Sequence, residues 1–172
     1  MKKEIYFGAG CFWGAQKYLA LIPGVLETEV GYANGHTENP TYKEVCENET
    51  GFVEAVKVIF DDEVVTLPFL LDLFFDAIDP TTLNRQGGDI GTQYRSGIYY
   101  KDESDVAIID KAITTLQTQY ASPILVEVKP LQNYYIAEEY HQDYLDKNPT
   151  GYCHIGPDMF EKAKKAVMVA IS

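Results

Sequence analysis

A short apolar run, Ile5-Tyr6-Phe7, turns through Gly8 and Gly10 into a helix-like run that starts beside Cys11, and this strand-into-helix junction constrains the chain more than any other stretch. Glycine lets the backbone take positive φ and approach a ligand closely. The N–H groups and dipole of the following helix favour a thiolate over a thiol. No Ser, Thr, Asp or Asn stands ready to cap that helix, so the Cys11 sulfur is the expected acceptor for its first N–H groups. Phe12 and Trp13 form the only such aromatic pair beside a cysteine. The combination reads as a redox or acyl-transfer site.

Strands and helices alternate along the rest of the chain, without a dinucleotide fingerprint. Residues 25–32 read as a strand and 33–40 as a loop of turn formers. Residues 52–60 form a clear strand, with Glu54, Val56, Val58 and Phe60 on one face and Val53, Ala55, Lys57 and Ile59 on the other. Glu54 thus shares the more apolar face. Thr66 and Pro68 open a helix to about Ile78. Asp102 opens another, with Val106, Ile109, Ile113, Leu116 and Tyr120 on one stripe. Residues 96–100 and 124–128 are expected as short strands, 137–147 as a helix and 159–170 as a terminal amphipathic helix. Residues 79–95 have neither period nor core content, and a segment this long in a compact domain is functional or disordered. Its arginines, aspartates and tyrosine suit an ordered site loop, or equally an ion-paired surface loop in which Arg85 and Arg95 satisfy carboxylates.

At 172 residues the chain fits one domain with an adequate core. A net charge of −12 argues against nucleic acid and anionic membrane surfaces as partners. No apolar run approaches the roughly 18 residues of a spanning helix. Glu4 interrupts the only signal-like start, so the stretch reads as mature protein, with the cytoplasm as the expected compartment. The three cysteines, Cys11, Cys46 and Cys153, show no C-x-x-C or zinc-like spacing, and no structural disulfide framework or metal site is expected. Cys46, in a helical turn at 42–46, reads as an inert buried thiol.

A helix N-terminus contributes only about 0.3–1 kcal/mol, under about one pK unit, so a cysteine there needs a further donor or proton relay. Glu54 is a candidate, because an apolar strand face disfavours its charged form and lets it donate a proton. The alternative is a salt bridge between Glu54 and an arginine at the strand mouth. His141 lies about 130 residues after Cys11, a papain-like separation. The Gly-Cys-Phe-Trp-Gly surround differs from the papain type, however, and His141 reads as a helix hydrogen-bonder, with His36 and His154 as solvated surface. Cys153 stands in a Pro-Thr-Gly-Tyr-Cys-His turn, where a second thiol could condense with an oxidised Cys11. A cysteine hydrolase and a noncatalytic peptide-binding module are the competing readings.

The chain closely resembles the A-type peptide methionine sulfoxide reductases. The resemblance rests on Gly10-Cys11-Phe12-Trp13-Gly14, Gly31-Tyr32-Ala33-Asn34-Gly35, Asn39-Pro40-Thr41-Tyr42, Glu44-Val45-Cys46 and Thr50-Gly51-Phe52-Val53-Glu54. It continues through most of 79–96, Tyr140-His141-Gln142-Asp143-Tyr144-Leu145 and Lys147-Asn148-Pro149-Thr150-Gly151-Tyr152-Cys153, covering about 4–154. The resemblance implies an α+β fold, a ferredoxin-like sandwich with a central mixed sheet, packed helices and long site-forming loops. It implies Cys11 as the nucleophile at the sulfoxide sulfur, with Phe12 and Trp13 around the methyl group. Glu54, Tyr42 and Tyr94 would hold the oxygen, Glu54 would donate the proton, and Asp89 would support the thiolate and water. Cys153 would resolve the sulfenic acid as a disulfide, reduced in turn by thioredoxin or another dithiol, with no bound cofactor or metal. Substrates would be methionine S-sulfoxide, free or in proteins.

Three departures stand out. Phe52-Val53 replaces a more usual His-Ala, Ile78 replaces a histidine before Asp-Pro-Thr, and a distal C-terminal cysteine found in some relatives is missing. The reductant would then meet the Cys11–Cys153 disulfide directly, with Cys46 as the second choice of resolving thiol.

Overall fold

Alternation of side chains along Lys2–Gly8 (β1) commits this segment to a sheet, with Ile5 and Phe7 turned to a core shared with helices and Tyr6 to the other side. The computed structural model describes residues 1–47, 50–148, 155 and 157–166. After β1 come α1 (Phe12–Ala20), β2 (Val25–Ala33), α2 (Tyr42–Cys46), β3 (Val53–Asp61) and α3 (Leu67–Asp76). A small ribbon, β4 (Arg85–Gln86) with β5 (Asp89–Ile90), precedes β6 (Gly97–Tyr100), α4 (Val106–Gln117), β7 (Glu127–Pro130) and β8 (Tyr134–Ile136). Two short helices, α5 (Tyr144–Lys147) and α6 (Pro157–Lys165), follow.

The main sheet has six strands in the order β7-β6-β1-β3-β2-β8. Its four central strands pair antiparallel, and with α1 and α3 they make the β-α-β-β-α-β pattern of ferredoxin-like folds. At one edge β7 runs parallel to β6 after the α4 crossover, and at the other β8 adds antiparallel to β2. The expected mixed-sheet α+β architecture is therefore observed. Helices α1, α3 and α4 share one face and one core with Ile5, Phe7, Val30, Val56, Val58 and Phe60. Burying such a side chain is worth about 1.5–3 kcal/mol. Phe7 stacks on Phe74 of α3 with centroids 4.6 Å apart, anchoring the strand that delivers Cys11.

Local signals explain most element ends. Thr66 accepts a hydrogen bond from the Phe69 N–H with proline in the first turn of α3, and Thr41 with Glu44 forms a reciprocal capping box on α2. In β3 the Glu54, Val56, Val58 and Phe60 set is fully covered, as its alternation predicts.

Four expectations are corrected. Residues 137–147 are not one helix: the Gln142 amide donates to the Val30 and Ala137 carbonyls and accepts from the Val30 N–H, and Asp143 takes φ +52°. Residues 134–136 instead pair with β2, an edge strand that periodicity did not reveal. The strand expected at 124–128 begins at Glu127, because the Leu125 N–H bonds to the Pro80 carbonyl before the chain meets β6. Helix α4 ends at Gln117, leaving Tyr120 outside it and 38% exposed. The terminal helix is described over Pro157–Lys165, and residues 167–170 of the expected span lie outside the described residues.

Residues 79–95 form an ordered loop. Buried Gln86 accepts from the Asp79 N–H at 2.9 Å and donates to the Asp79 carbonyl at 2.8 Å and to Ser96 Oγ at 2.9 Å. One amide thus ties both ends of the loop, and a ribbon lies between them. Among the described residues, no helix is long and apolar enough to cross a membrane.

Candidate active site

Gly10 has φ +80°, a value that a side chain would strain, and it turns the chain from β1 into α1. Cys11 then occupies the N-cap position of α1 and is 5% exposed. The expectation that its sulfur caps the helix is not met, because Cys11 makes no side-chain capping bond. Instead the first helical N–H, on Phe12, donates to Glu54 Oε1 at 3.1 Å. A carboxyl from the middle of the sheet thus satisfies the first N–H of the helix, one turn position before those a capping side chain would take. The register of β3 with β2 delivers it there, opposite Tyr32.

Glu54 is 1% exposed, and its other oxygen, Oε2, has no hydrogen-bond partner among the described residues. Burial pushes its pKa up to about 8, the Phe12 N–H pulls it back, and the charge of Asp89 pushes it further. The predicted neutral Glu54 is thus supported by its surroundings. The alternative of an arginine salt bridge is not observed, since Arg95 pairs with Glu127 at 3.3 Å.

Tyr42 and Tyr94 share this field. Burial pushes both phenols well above the ordinary range, and the Glu54 charge adds to the rise in each; Tyr94 also feels Cys11 and Asp89. Glu138 positions Tyr42 by accepting from its backbone N–H at 3.1 Å and from the Tyr32 hydroxyl at 2.8 Å. Asp89 sits in β5, whose backbone pairs with Gln86 of β4, so the residue whose amide orders the loop also sets the strand position of Asp89. Cys11, Glu54, Tyr42, Asp89 and Tyr94, all named from the sequence, therefore meet in one electrostatic neighbourhood. Cys153 and His154 lie outside the described residues.

Phe12 is buried against Tyr32, Tyr42 and His141, whereas Trp13 is half-buried and stacks on Tyr144 at 3.8 Å. The Trp13 indole N–H donates to His141 Nδ1 at 2.8 Å. His141 is fully buried, in a 3-10 turn and not on the expected helix. Its interior position is the feature the sequence reading missed, and only the aromatic spacing of Tyr140, His141 and Tyr144 hinted at it. His36 is exposed, as expected of a solvated surface histidine, with its ring 2.5 Å from where a Cβ on Gly51 would sit.

Cys46 is half-buried. Burial pushes its thiol up, against a hydrogen bond with Tyr42 that pulls it down, and the Glu54 charge adds to the rise. A less ionised thiol is a poorer resolving group. Arg95 does both things expected of it: besides pairing with Glu127, it donates to the Thr92 carbonyl at 2.9 Å and the Gly51 carbonyl at 3.0 Å. It thereby clamps the segments leading to Tyr94 and Glu54. The departures at Phe52, Val53 and Ile78 are all buried among apolar neighbours and add no polar group to the site.

This arrangement has close relatives. The family model described as peptide methionine sulfoxide reductase matches residues 3–170. A curated peptide methionine sulfoxide reductase MsrA from Lachnoclostridium phytofermentans is 58% identical over 166 residues, spanning 96% of this chain and all of that protein. Reduced Mxr1 from Saccharomyces cerevisiae superposes with a TM-score of 0.82 and 42% identity, covering 88% of each chain. The structure of Mxr1 in complex with Trx2 matches with a TM-score of 0.59 and 30% identity, over 83% of this chain and 84% of that one. With the family model matching nearly the whole chain and a 58% identical relative covering 96% of it, the chain belongs to the peptide methionine sulfoxide reductase family.

Proposed function

We propose that the whole chain works as one catalytic domain that reduces methionine S-sulfoxide, free or in proteins, with Cys11 as nucleophile. The observation that carries this reading is the Phe12 N–H bond to Glu54 Oε1, which sets a buried, protonatable carboxyl beside the cysteine and leaves Oε2 to carry the proton. Cys11 attacks the sulfoxide sulfur while Glu54 Oε2–H protonates the oxide oxygen, with Tyr42 and Tyr94 holding that oxygen and Asp89 supporting the thiolate and water. Phe12 and Trp13 enclose the methyl group. Methionine leaves, and Cys11 is left as a sulfenic acid. The Cys153 thiol then attacks the Cys11 sulfur, releasing water and forming a disulfide. Thioredoxin or another dithiol takes up the oxidation and returns both thiols, with no bound cofactor. Such a cycle suits a reducing compartment, the cytoplasm.

The test is turnover of the separate S and R epimers of N-acetylmethionine sulfoxide with dithiothreitol. Reduction of the S epimer alone is expected; reduction of neither by folded, reduced protein would remove the reading. With thioredoxin as reductant, Cys153→Ser should stall after one turnover. Undiminished multiple turnover would take the resolving role away from Cys153.

A further inference from the structure

We infer that His141 is a positioning residue that fixes the indole of Trp13 through a neutral imidazole carrying its proton on Nε2. The inference deepens the reading of Trp13 as a wall of the sulfoxide site and rests on it. An indole N–H can only donate. The nitrogen it meets at 2.8 Å, His141 Nδ1, must therefore present a lone pair, and the proton of the neutral ring sits on Nε2. That Nε2 has no partner among the described residues, in a side chain with no solvent exposure.

The surroundings favour this one tautomer over the cation. Among the described residues, helix α1 presents the rings of Phe12 and Trp13 to the imidazole, α2 presents the phenol of Tyr42, and the local segment presents Tyr140 and the carboxylate of Glu138. An imidazolium would point Nδ1–H at the indole N–H. Burial accordingly lowers the pKa of His141, with Glu138 opposing. The neutral form therefore persists through neutral pH and is lost only as pH falls below the ordinary imidazole value of about 6.5.

Two contacts together define the Trp13 position. Stacking on Tyr144 at 3.8 Å sets the plane of the indole, and the bond to Nδ1 sets its rotation within that plane. A half-buried ring held by stacking alone could slide, changing the space left for the substrate methyl group without touching Cys11. Loss of the bond should consequently raise KM for the sulfoxide more than it lowers kcat.

Trp13 is the single tryptophan of the chain, so one indole N–H resonance reports directly on it. The variants to compare are His141→Phe, which keeps an aromatic ring without an acceptor, and His141→Asn, which keeps an amide near the Nδ1 position. In His141→Phe the resonance should move upfield and exchange with water about tenfold faster, with kcat/KM for the S epimer falling about five- to tenfold, mostly through KM. Reaction of Cys11 with a thiol reagent should be unchanged, and His141→Asn should recover much of the loss. An unchanged indole resonance and exchange rate in folded His141→Phe would overturn the inference. Should that variant not fold, the imidazole nitrogen shifts of the unaltered protein decide it: an unprotonated Nδ1 at pH 7 supports the tautomer, and a protonated one overturns it. Neither resonance measurement requires turnover, so they stand apart from any failure of the activity itself.

Discussion

Replacing Cys11 by Ser lowers turnover of methionine S-sulfoxide by at least about 10³-fold and leaves the fold intact. The two halves of this expectation have separate causes. A serine hydroxyl has no accessible anion near neutral pH, and the oxidised intermediate that a second thiol would resolve cannot form on oxygen. Stability should not suffer, because the side chain is 5% exposed, the change is nearly isosteric and position 11 is the N-cap of α1. Cys11 makes no capping bond there, whereas serine is among the preferred caps. The melting temperature should hold or rise, by the equivalent of about 0.5–1 kcal/mol. The check is the steady-state rate with dithiothreitol alongside thermal unfolding of the same sample. Residual turnover within tenfold of wild type would remove Cys11 as the nucleophile, while a large loss of stability would mean that the sulfur supports the fold.

Cys11, Glu54 and Gly10 are legible in the sequence for a physical reason: each is announced by its immediate neighbours. A glycine before a helix start, a carboxyl on the apolar side of a strict two-residue alternation and a Thr-x-Pro helix opening are local signals, readable within about ten residues. The central strands and α3 follow from the same kind of pattern. What stayed hidden depends on contacts across the chain. Residues 137–147 look helical because nothing nearby reveals that the Gln142 amide completes the ladder of Val30, 112 positions away. Arg95 reads equally as a site residue or a surface ion pair because its three partners, Gly51, Thr92 and Glu127, come from three separate segments. The Phe12 N–H poses the same problem in reverse. Local reasoning assigned it to the nearest side chain, and the sheet supplied a carboxyl from 42 residues on. Roles for Tyr42, Tyr94 and Asp89 rest on family resemblance and not on pattern, since nothing near them in sequence signals the buried Glu54 carboxyl they will sit beside.

Glu54 should separate into three graded behaviours. Gln keeps the shape and a hydrogen-bond donor without a transferable proton, and it should lose about 10- to 100-fold in the rate of sulfoxide reduction; Ala should lose about 10²- to 10⁴-fold. Ala also leaves the Phe12 N–H without its acceptor in the interior, at a cost of about 1–3 kcal/mol. The pH dependence identifies the proton. With its pKa pushed up to about 8 by burial and by the Asp89 charge, Glu54 is protonated at neutral pH, so wild-type reduction should weaken as pH rises through about 8. The Gln variant should lack that particular decline. Stability follows the same equilibrium. The folded chain holds the proton over the range in which the unfolded chain, with a value near 4.5, has released it. The stability of the wild type relative to Gln therefore falls as pH rises from about 4.5 to about 8 and levels off beyond, a difference on the order of a few kcal/mol. Thermal unfolding of both proteins across pH 4–9 checks this. A constant gap would mean that Glu54 does not titrate in that window, and equal rates for Glu, Gln and Ala would exclude it from the chemistry. A gap that widens with pH while the rate falls only above about 8 would tie both effects to one carboxyl, whose burial weakens the fold in order to keep a proton beside Cys11.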